Sequence, residues 1–438
     1  MNRLLERAFL VCGIFLTLDL AFFGPGLLIP GIGIEARRLL LIMLLVAAVV
    51  RRMQTPRPLS GSDMALVSWI AVLLLVWAIA LPASYGYARA QSLADAEPWT
   101  ALVVLAVWPW SAWPYPGQWT AFRRFLLVIC AILAILHVFI WALLTAGVIS
   151  PAMLAFTARL VSARGGNAEG FIRVALVGGS YRVYWSSSIF LLGGLYFLAM
   201  YRPQSRHLGW YAQVLLIAFA LWTTHIRAFL GAIAIFICLK FVLKQTLWMR
   251  NVSRPQMRVL ALWMAGVAVV AIAMNPVVLH ALQLSRSVSD VERVVQARAL
   301  LGRFENSPMF GTGFGSYAAQ YVRTEGAPYS YELVFEALLM KLGLGGAIVL
   351  LCCLYSTLRV STSGGICECN SGRMETWAAF TTGFWFSGAT NPMVTNFAGM
   401  AVMVLLLVDM HQWSSSCELA VRTEDTHASG GGFAGPVR

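Results

Sequence analysis

The sequence predicts an all-α polytopic membrane protein of about twelve transmembrane helices. Three observations carry that expectation. Of 438 residues, 59% are hydrophobic and 12% charged, the balance of a chain whose helices face lipid. The apolar residues come in long runs bounded by Pro, Gly or charge. Lys and Arg favour alternate connecting segments, as short cytoplasmic loops do.

In chain order, Arg3 and Arg7 precede an apolar run at 8–23 that begins like a secretory signal. No small-x-small cleavage pattern follows, and Phe23, Gly24 and Pro25 read as a turn, so the run is expected to be a retained first helix. Further spans are expected at 33–50, 64–82, 99–113, 124–148, 183–200, 209–224, 228–247, 259–275, 331–357, 376–390 and 396–411. Several fall short of the ~20 residues that cross a bilayer, so their ends are approximate. The alternation places both termini in the cytoplasm, with outer loops at 149–182 and 276–330. The second loop lies between helices nine and ten. Residues 1–413 form one membrane domain, and the polar, Gly-rich tail 414–438 is expected to be disordered.

Charge and cysteine usage exclude several classes. The net charge of +13 lacks the aromatic-interleaved basic patch of a nucleic-acid binder. All cysteines fall in expected spans or cytoplasmic segments, which excludes an outer disulfide framework. Cys367 and Cys369 fit no usual zinc spacing, and no metal or cofactor is expected. No internal repeat suggests inverted transporter halves.

The outer segments contain no Lys, and most of their arginines fall in the two large loops. Arg159, Arg164, Arg173 and Arg182 lie in the first, and Arg286, Arg293, Arg298, Arg303 and Arg323 in the second. The planar guanidinium fork suits a diphosphate; the plainer reading is a solvated, lipid-touching surface. Arg227 opens a helix at the outer interface with no acid nearby in sequence. It can either snorkel or meet a lipid-linked phosphate.

Gly311, Gly313 and Gly315 look superficially like a dinucleotide-binding loop, but no βαβ context surrounds them. They can bind an anion through backbone N–H groups or simply turn the chain back to the membrane. Glu332 and Glu336 stand four apart at the start of the tenth span, on one helical face. Glu332 can serve as a base if partial burial raises its pKa; alternatively both pair with loop arginines. His137 and Asp19 read as packed polar groups inside spans. His225 and His280 each stand alone.

Pro308, Met309, Phe310, Gly311, Gly313 and Gly315, preceded by Arg298 and Arg303, resemble the Pro-hydrophobic-hydrophobic-Gly-x-Gly-x-Gly stretch of the O-antigen ligase and O-antigen polymerase superfamily. The segment from Leu338 to Gly343, Gly345 and Gly346 resembles the helix that follows it. Arg227 falls where those proteins carry an Arg opening a helix. The resemblance covers about 220–350; elsewhere it rests on the span layout and the large outer loop.

It implies a GT-C-like fold and an inverting, metal-independent glycosyltransferase on the outer face of a bacterial inner membrane. The implied partners are an undecaprenyl-diphosphate-linked glycan, the lipid bilayer and a chain-length regulator protein. Arg227 and Glu332 become the expected catalytic residues, and Arg182, Arg298, Arg303, Gly311, Gly313 and Gly315 the expected substrate-binding ones. Ligases carry a His-Asn pair about eleven residues before the glycine aligned with Gly343, where this chain has Glu332 and Leu333. That departure favours a polymerase of O-antigen or exopolysaccharide over a ligase. A transporter of anionic substrates is the alternative from another class.

Overall fold

The computed structural model describes residues 2–22, 36–54, 61–100, 116–154, 172–177, 180–201, 208–245, 288–322, 328–361, 371–388 and 395–412. Their order is α1 (Asn2–Phe22), α2 (Ala36–Gln54), α3 (Gly61–Ser84), α4 (Arg89–Ala96), α5 (Pro116–Thr145), β1 (Ile172–Val177), β2 (Ser180–Trp185), α6 (Ile189–Met200), α7 (Leu208–Thr223), α8 (Arg227–Gln245), α9 (Val288–Glu305), α10 (Val334–Ser361), α11 (Ser371–Ser387) and α12 (Phe397–Gln412).

Within these, Gly61–Ser84, Gln118–Thr145 and Val334–Thr357 are long and apolar enough to cross a membrane, and six shorter apolar helices accompany them. The expected span at 259–275, all but the first two residues of that at 99–113, and the tail 414–438 lie outside the described residues.

Two expectations are corrected. The chain is mostly helical but not all-α: β1 and β2 pair antiparallel, with Val174 opposite Val183 and Arg173 opposite Tyr184. Val, Tyr and Trp in short alternation on either side of Gly178 and Gly179 favour a hairpin over a helix, so α6 begins at Ile189 rather than at 183. The tenth helix begins at Val334, so Glu332 precedes it and does not share a helical face with Glu336.

The helices pack through small and aromatic side chains. α8 and α11 run antiparallel with their backbones close. A Cβ on Gly383 would lie 2.4 Å from the Ala232 carbonyl oxygen, and one on Gly231 would strike the Phe386 ring. Small residues of this kind let membrane helices approach. Asp409, fully buried near the end of α12, accepts from Trp119 Nε1 and from the Tyr196 hydroxyl, each at 2.9 Å, and from the Tyr201 hydroxyl. That anchor joins the start of α5 and the end of α6 to the end of α12, and a buried acid is thereby satisfied. His137 is a packed polar group, as expected: its ring nitrogens meet the Leu133 carbonyl at 2.7 Å and Ser188 Oγ at 2.8 Å.

Part of the long loop expected at 276–330 is helical. α9 lays Ala297 and Leu300 against Leu333, Ala337 and Met340 at the start of α10. The site described next sits at this end of the bundle, opposite Asp409.

Candidate functional site

The glycine-rich turn is locked into two broken helices. α10 breaks at Gly343, whose φ of 61° and ψ of −171° belong to a region only glycine occupies readily. The break exchanges partners. Leu344 N–H donates to the Pro308 carbonyl at 2.8 Å and Gly345 N–H to that of Met309 at 2.7 Å. The Met340 and Lys341 carbonyls, left without their helical donors, accept from Thr312 N–H at 3.1 Å and Gly313 N–H at 2.8 Å.

A second exchange occurs on α3. Leu81 N–H bonds the Val76 carbonyl in a π-helical stretch over Leu73–Ala80, and Pro82 has no N–H to offer. The Trp77 carbonyl accepts instead from Phe314 N–H at 2.7 Å. Trp77 Nε1 lies 2.7 Å from the Phe310 carbonyl and 2.9 Å from that of Leu342, tying α3, turn and α10 together. The approach leaves no room for side chains: a Cβ on Gly311 would sit 2.4 Å from the Lys341 carbonyl oxygen.

Of the two readings of Gly311, Gly313 and Gly315, an anion-binding loop or a tight turn back to the bundle, the hydrogen bonds are those of the turn. Gly311 N–H bonds the Ser307 carbonyl at 2.9 Å, and Gly315 N–H bonds Asp95 Oδ2 at 2.7 Å. All three amides hold the protein itself: Gly313 serves a carbonyl freed by the break in α10, Gly311 a carbonyl of its own turn, and Gly315 a carboxylate.

Asp95, from α4, is the hub this creates. Besides Gly315 N–H it receives Lys341 Nζ, at 2.8 Å from Oδ1 and 2.7 Å from Oδ2. Lys341 also donates to the Tyr329 carbonyl at 2.9 Å. The pair is largely buried, with side chains 7% and 12% exposed for Lys341 and Asp95. Just beyond α4, Glu97 is held in a forked pair by Arg38 of α2.

Asp95 and Lys341 both face a cavity of ≈ 300 Å³. Its walls are Trp99, Tyr184, Phe314, Tyr329 and Tyr331, and Asn396 at the start of α12 adds an amide. Burial, then the negative charges of Asp95 and Glu97, pushes the Tyr329 phenol up, so it stays a neutral donor and acceptor. An aromatic wall over a buried ion pair can take a ligand with apolar faces and hydroxyl edges.

The expected site residues divide. Arg182 is placed near the cavity, its guanidinium carbon 5.5 Å from the centre of the Tyr184 ring. Arg303 donates through Nη2 to the Tyr87 hydroxyl at 2.9 Å, between α9 and the α3–α4 connection. Arg298, an expected substrate-binding residue, is exposed on α9. Arg227 opens α8 as expected; its side chain lies outside the described residues. Glu332 does not line the cavity. Its Oε2 lies 3.0 Å from Arg293 Nε, with both side chains 25% exposed, so the pairing with a loop arginine prevails over the free base. Glu336 is buried on α10 and is likewise not part of the cavity wall.

Asp95, Trp99 and Asn396 carried no signal in the sequence. Lys341 carried one, a cation inside an apolar run, which at membrane depth demands an anionic or carbonyl partner.

The class these features define is a mostly helical protein with apolar helices consistent with a membrane location. Its polar cavity lies at one end, where a glycine turn clamps two broken helices. No family model, curated protein or solved structure matches the chain.

Proposed function

We propose that this chain polymerises oligosaccharide repeat units carried on undecaprenyl diphosphate, into O-antigen or exopolysaccharide, on the outer face of a bacterial inner membrane. The observation that supports this reading most is the aromatic cavity over the Asp95–Lys341 pair. Trp99, Tyr184, Tyr329 and Tyr331 offer flat faces for the C–H surfaces of pyranose rings. Asp95, Lys341 and Asn396 offer both signs of hydrogen-bonding partner to hydroxyls. The resemblance of the turn and of α10 to the polymerase and ligase superfamily points the same way.

In this reading the acceptor sugar sits against the aromatic wall, one hydroxyl toward Asp95. As that oxygen bonds the anomeric carbon of the donor, the bond from the anomeric carbon to the diphosphate oxygen breaks and the diphosphate leaves with the electron pair. The hydroxyl proton passes to Asp95. A diphosphate is a stable leaving anion, so a carboxylate of modest basicity suffices. Arg182 and Arg227 stabilise the charge that develops on it. Glu332 does not serve as base here; with Arg293 it positions α9 against α10.

The test is the glycan made by a strain lacking the gene and complemented with variants. The expected result is loss of long polymer with single capped repeats retained, restored by the wild type and not by Trp99→Ala or Asp95→Asn at equal protein level. Polymer accumulating on its lipid carrier would instead assign a ligase. Unchanged polymer in the deletion would end the proposal.

A further inference from the structure

Two arginines converge on one tyrosine at the end of the bundle opposite the glycan cavity. The guanidinium carbon of Arg123 lies 3.4 Å from the centre of the Tyr201 ring, and that of Arg373 lies 5.8 Å from it. Arg123 comes from the early part of α5, Arg373 is the third residue of α11, and Tyr201 stands one residue past α6. The Tyr201 hydroxyl donates to Asp409 of α12, so the ends of four helices meet here.

The charges at this junction do not balance. Asp409 is fully buried, and its oxygens already accept from Trp119, Tyr196 and Tyr201. It acts on Arg123 at longer range, but among the described residues no carboxylate forms an ion pair with either guanidinium. Glu375, two residues beyond Arg373, leaves α11 on another side. The first turn of α11 contains no acid, and a cation placed there opposes the helix dipole. One buried carboxylate therefore stands against two guanidiniums and the positive end of a helix. Like charges repel, so sidedness alone, which asks only that cations be spread over one surface, gives no reason to bring two onto one ring.

Depth narrows the choice of counter-ion. The apolar run of α5, Gln118–Thr145, has 28 residues, or about 42 Å at 1.5 Å per residue, against about 30 Å of hydrocarbon. About 6 Å of helix is then left over at each interface. Arg123 is the sixth residue of that run, some ~7–8 Å from its start, which sets it at the hydrocarbon boundary. Lipid phosphates stand at that level, and basic clusters between helices meet them there.

We infer that Arg123 and Arg373 together hold the phosphate of an anionic glycerophospholipid beside Tyr201. The site does not depend on the glycan reading. It lies at the opposite end of the bundle, and its test reads lipid rather than polymer.

The experiment uses the full chain, purified in detergent and delipidated, then incubated with equal amounts of dioleoyl phosphatidylglycerol and dioleoyl phosphatidylcholine. The lipid retained after washing is extracted and quantified by mass spectrometry. The expected result is preferential retention of phosphatidylglycerol. Arg373→Gln, at an exposed position, should weaken that retention about fivefold, the worth of one cation near an anionic lipid surface, while phosphatidylcholine is unaffected. Arg373→Lys should keep the preference, which separates charge from fold. Arg123→Gln combined with Arg373→Gln should bring the two lipids level; should the double variant fail to fold, Arg373→Gln alone carries the test. Arg124→Gln, an exposed neighbour on α5, should leave the preference in place. Equal retention of the two lipids by the wild type would overturn the inference, as would an unchanged preference in Arg373→Gln. A loss in Arg124→Gln as large as that in Arg373→Gln would reduce the site to diffuse surface charge, and displacement of the lipid by inorganic phosphate would assign it to a soluble anion; either result ends the proposal.

Discussion

Lys341→Met isolates the hub of the glycan cavity. The substitution keeps an unbranched chain of similar length in α10 but removes the ammonium that meets both oxygens of Asp95 and the Tyr329 carbonyl. Asp95 then keeps Gly315 N–H as its remaining named donor. With the two side chains 7% and 12% exposed, water replaces little of what is lost. Breaking a buried pair by removing one partner costs about 3–5 kcal/mol, most of it the stranded charge.

Removing the second charge should give much of that back. Asp95→Leu in the Lys341→Met background leaves no stranded ion, and a buried pair exchanged for apolar groups is often neutral or nearly so. Gly315 N–H then lacks an acceptor, a penalty of about 1–3 kcal/mol. The double variant is therefore expected between the wild type and either single variant, with a coupling well above the ~0.5 kcal/mol within which independent sites add. Unfolding of the purified chain in a denaturing-detergent titration, run on all four members of the cycle, measures this. Additive losses would refute the hub. So would a Lys341→Met loss below about 1 kcal/mol.

Three further outcomes follow from the same geometry. Gly343→Ala places a Cβ 2.4 Å from Gly311 N at a φ of 61°, so a loss of about 3 kcal/mol or more is expected from clash and backbone strain, whereas Gly372→Ala, with nothing within 4 Å, should be neutral or slightly stabilising in the same titration. Trp77→Phe removes the indole N–H that serves the Phe310 and Leu342 carbonyls and should cost about 1–3 kcal/mol; an unchanged midpoint would mean the clamp holds without it. Glu332→Gln breaks a pair that is one-quarter exposed on each side, so its stability cost should stay under about 1 kcal/mol and polymer length should be near normal; collapse of the polymer at equal protein level would return Glu332 to the role of base.

Much of the helical layout is legible because long apolar runs have few alternatives at this composition. The run at 64–82 reappears within Gly61–Ser84, and that at 124–148 within Gln118–Thr145 up to its last three residues. The hairpin escapes such a reading. Ile172 to Trp185 is apolar enough to extend a span, and only the alternation around Gly178 and Gly179 marks it as strand. Gly311, Gly313 and Gly315 announce an unusual backbone in the sequence, but not the direction of their amides. That direction depends on Gly343 breaking α10 and on Pro82 withholding an N–H from the Trp77 carbonyl, both distant in the chain. Each feature is ordinary alone; the turn becomes a clamp only because three segments leave complementary groups unpaired.

The acids show why chemistry was harder to read than architecture. Glu332 and Glu336 draw attention because they stand at the mouth of a span. Lys341 nevertheless pairs with Asp95, 246 residues away, while Glu332 turns to Arg293 on α9. Energetics explains the choice. A lysine in an apolar run must find a partner that is itself shielded, since a carboxylate already paired at a partly exposed position has little to gain from being buried. Asp95 meets that need because Gly315 N–H shares its charge and Trp99 and Phe314, whose ring centres lie 5.8 Å apart, help wall the cavity that both members of the pair face. A sequence can announce that an intramembrane cation requires a partner. Which acid answers is decided by the packing that brings one of them, already held by a backbone N–H, within reach of the ammonium.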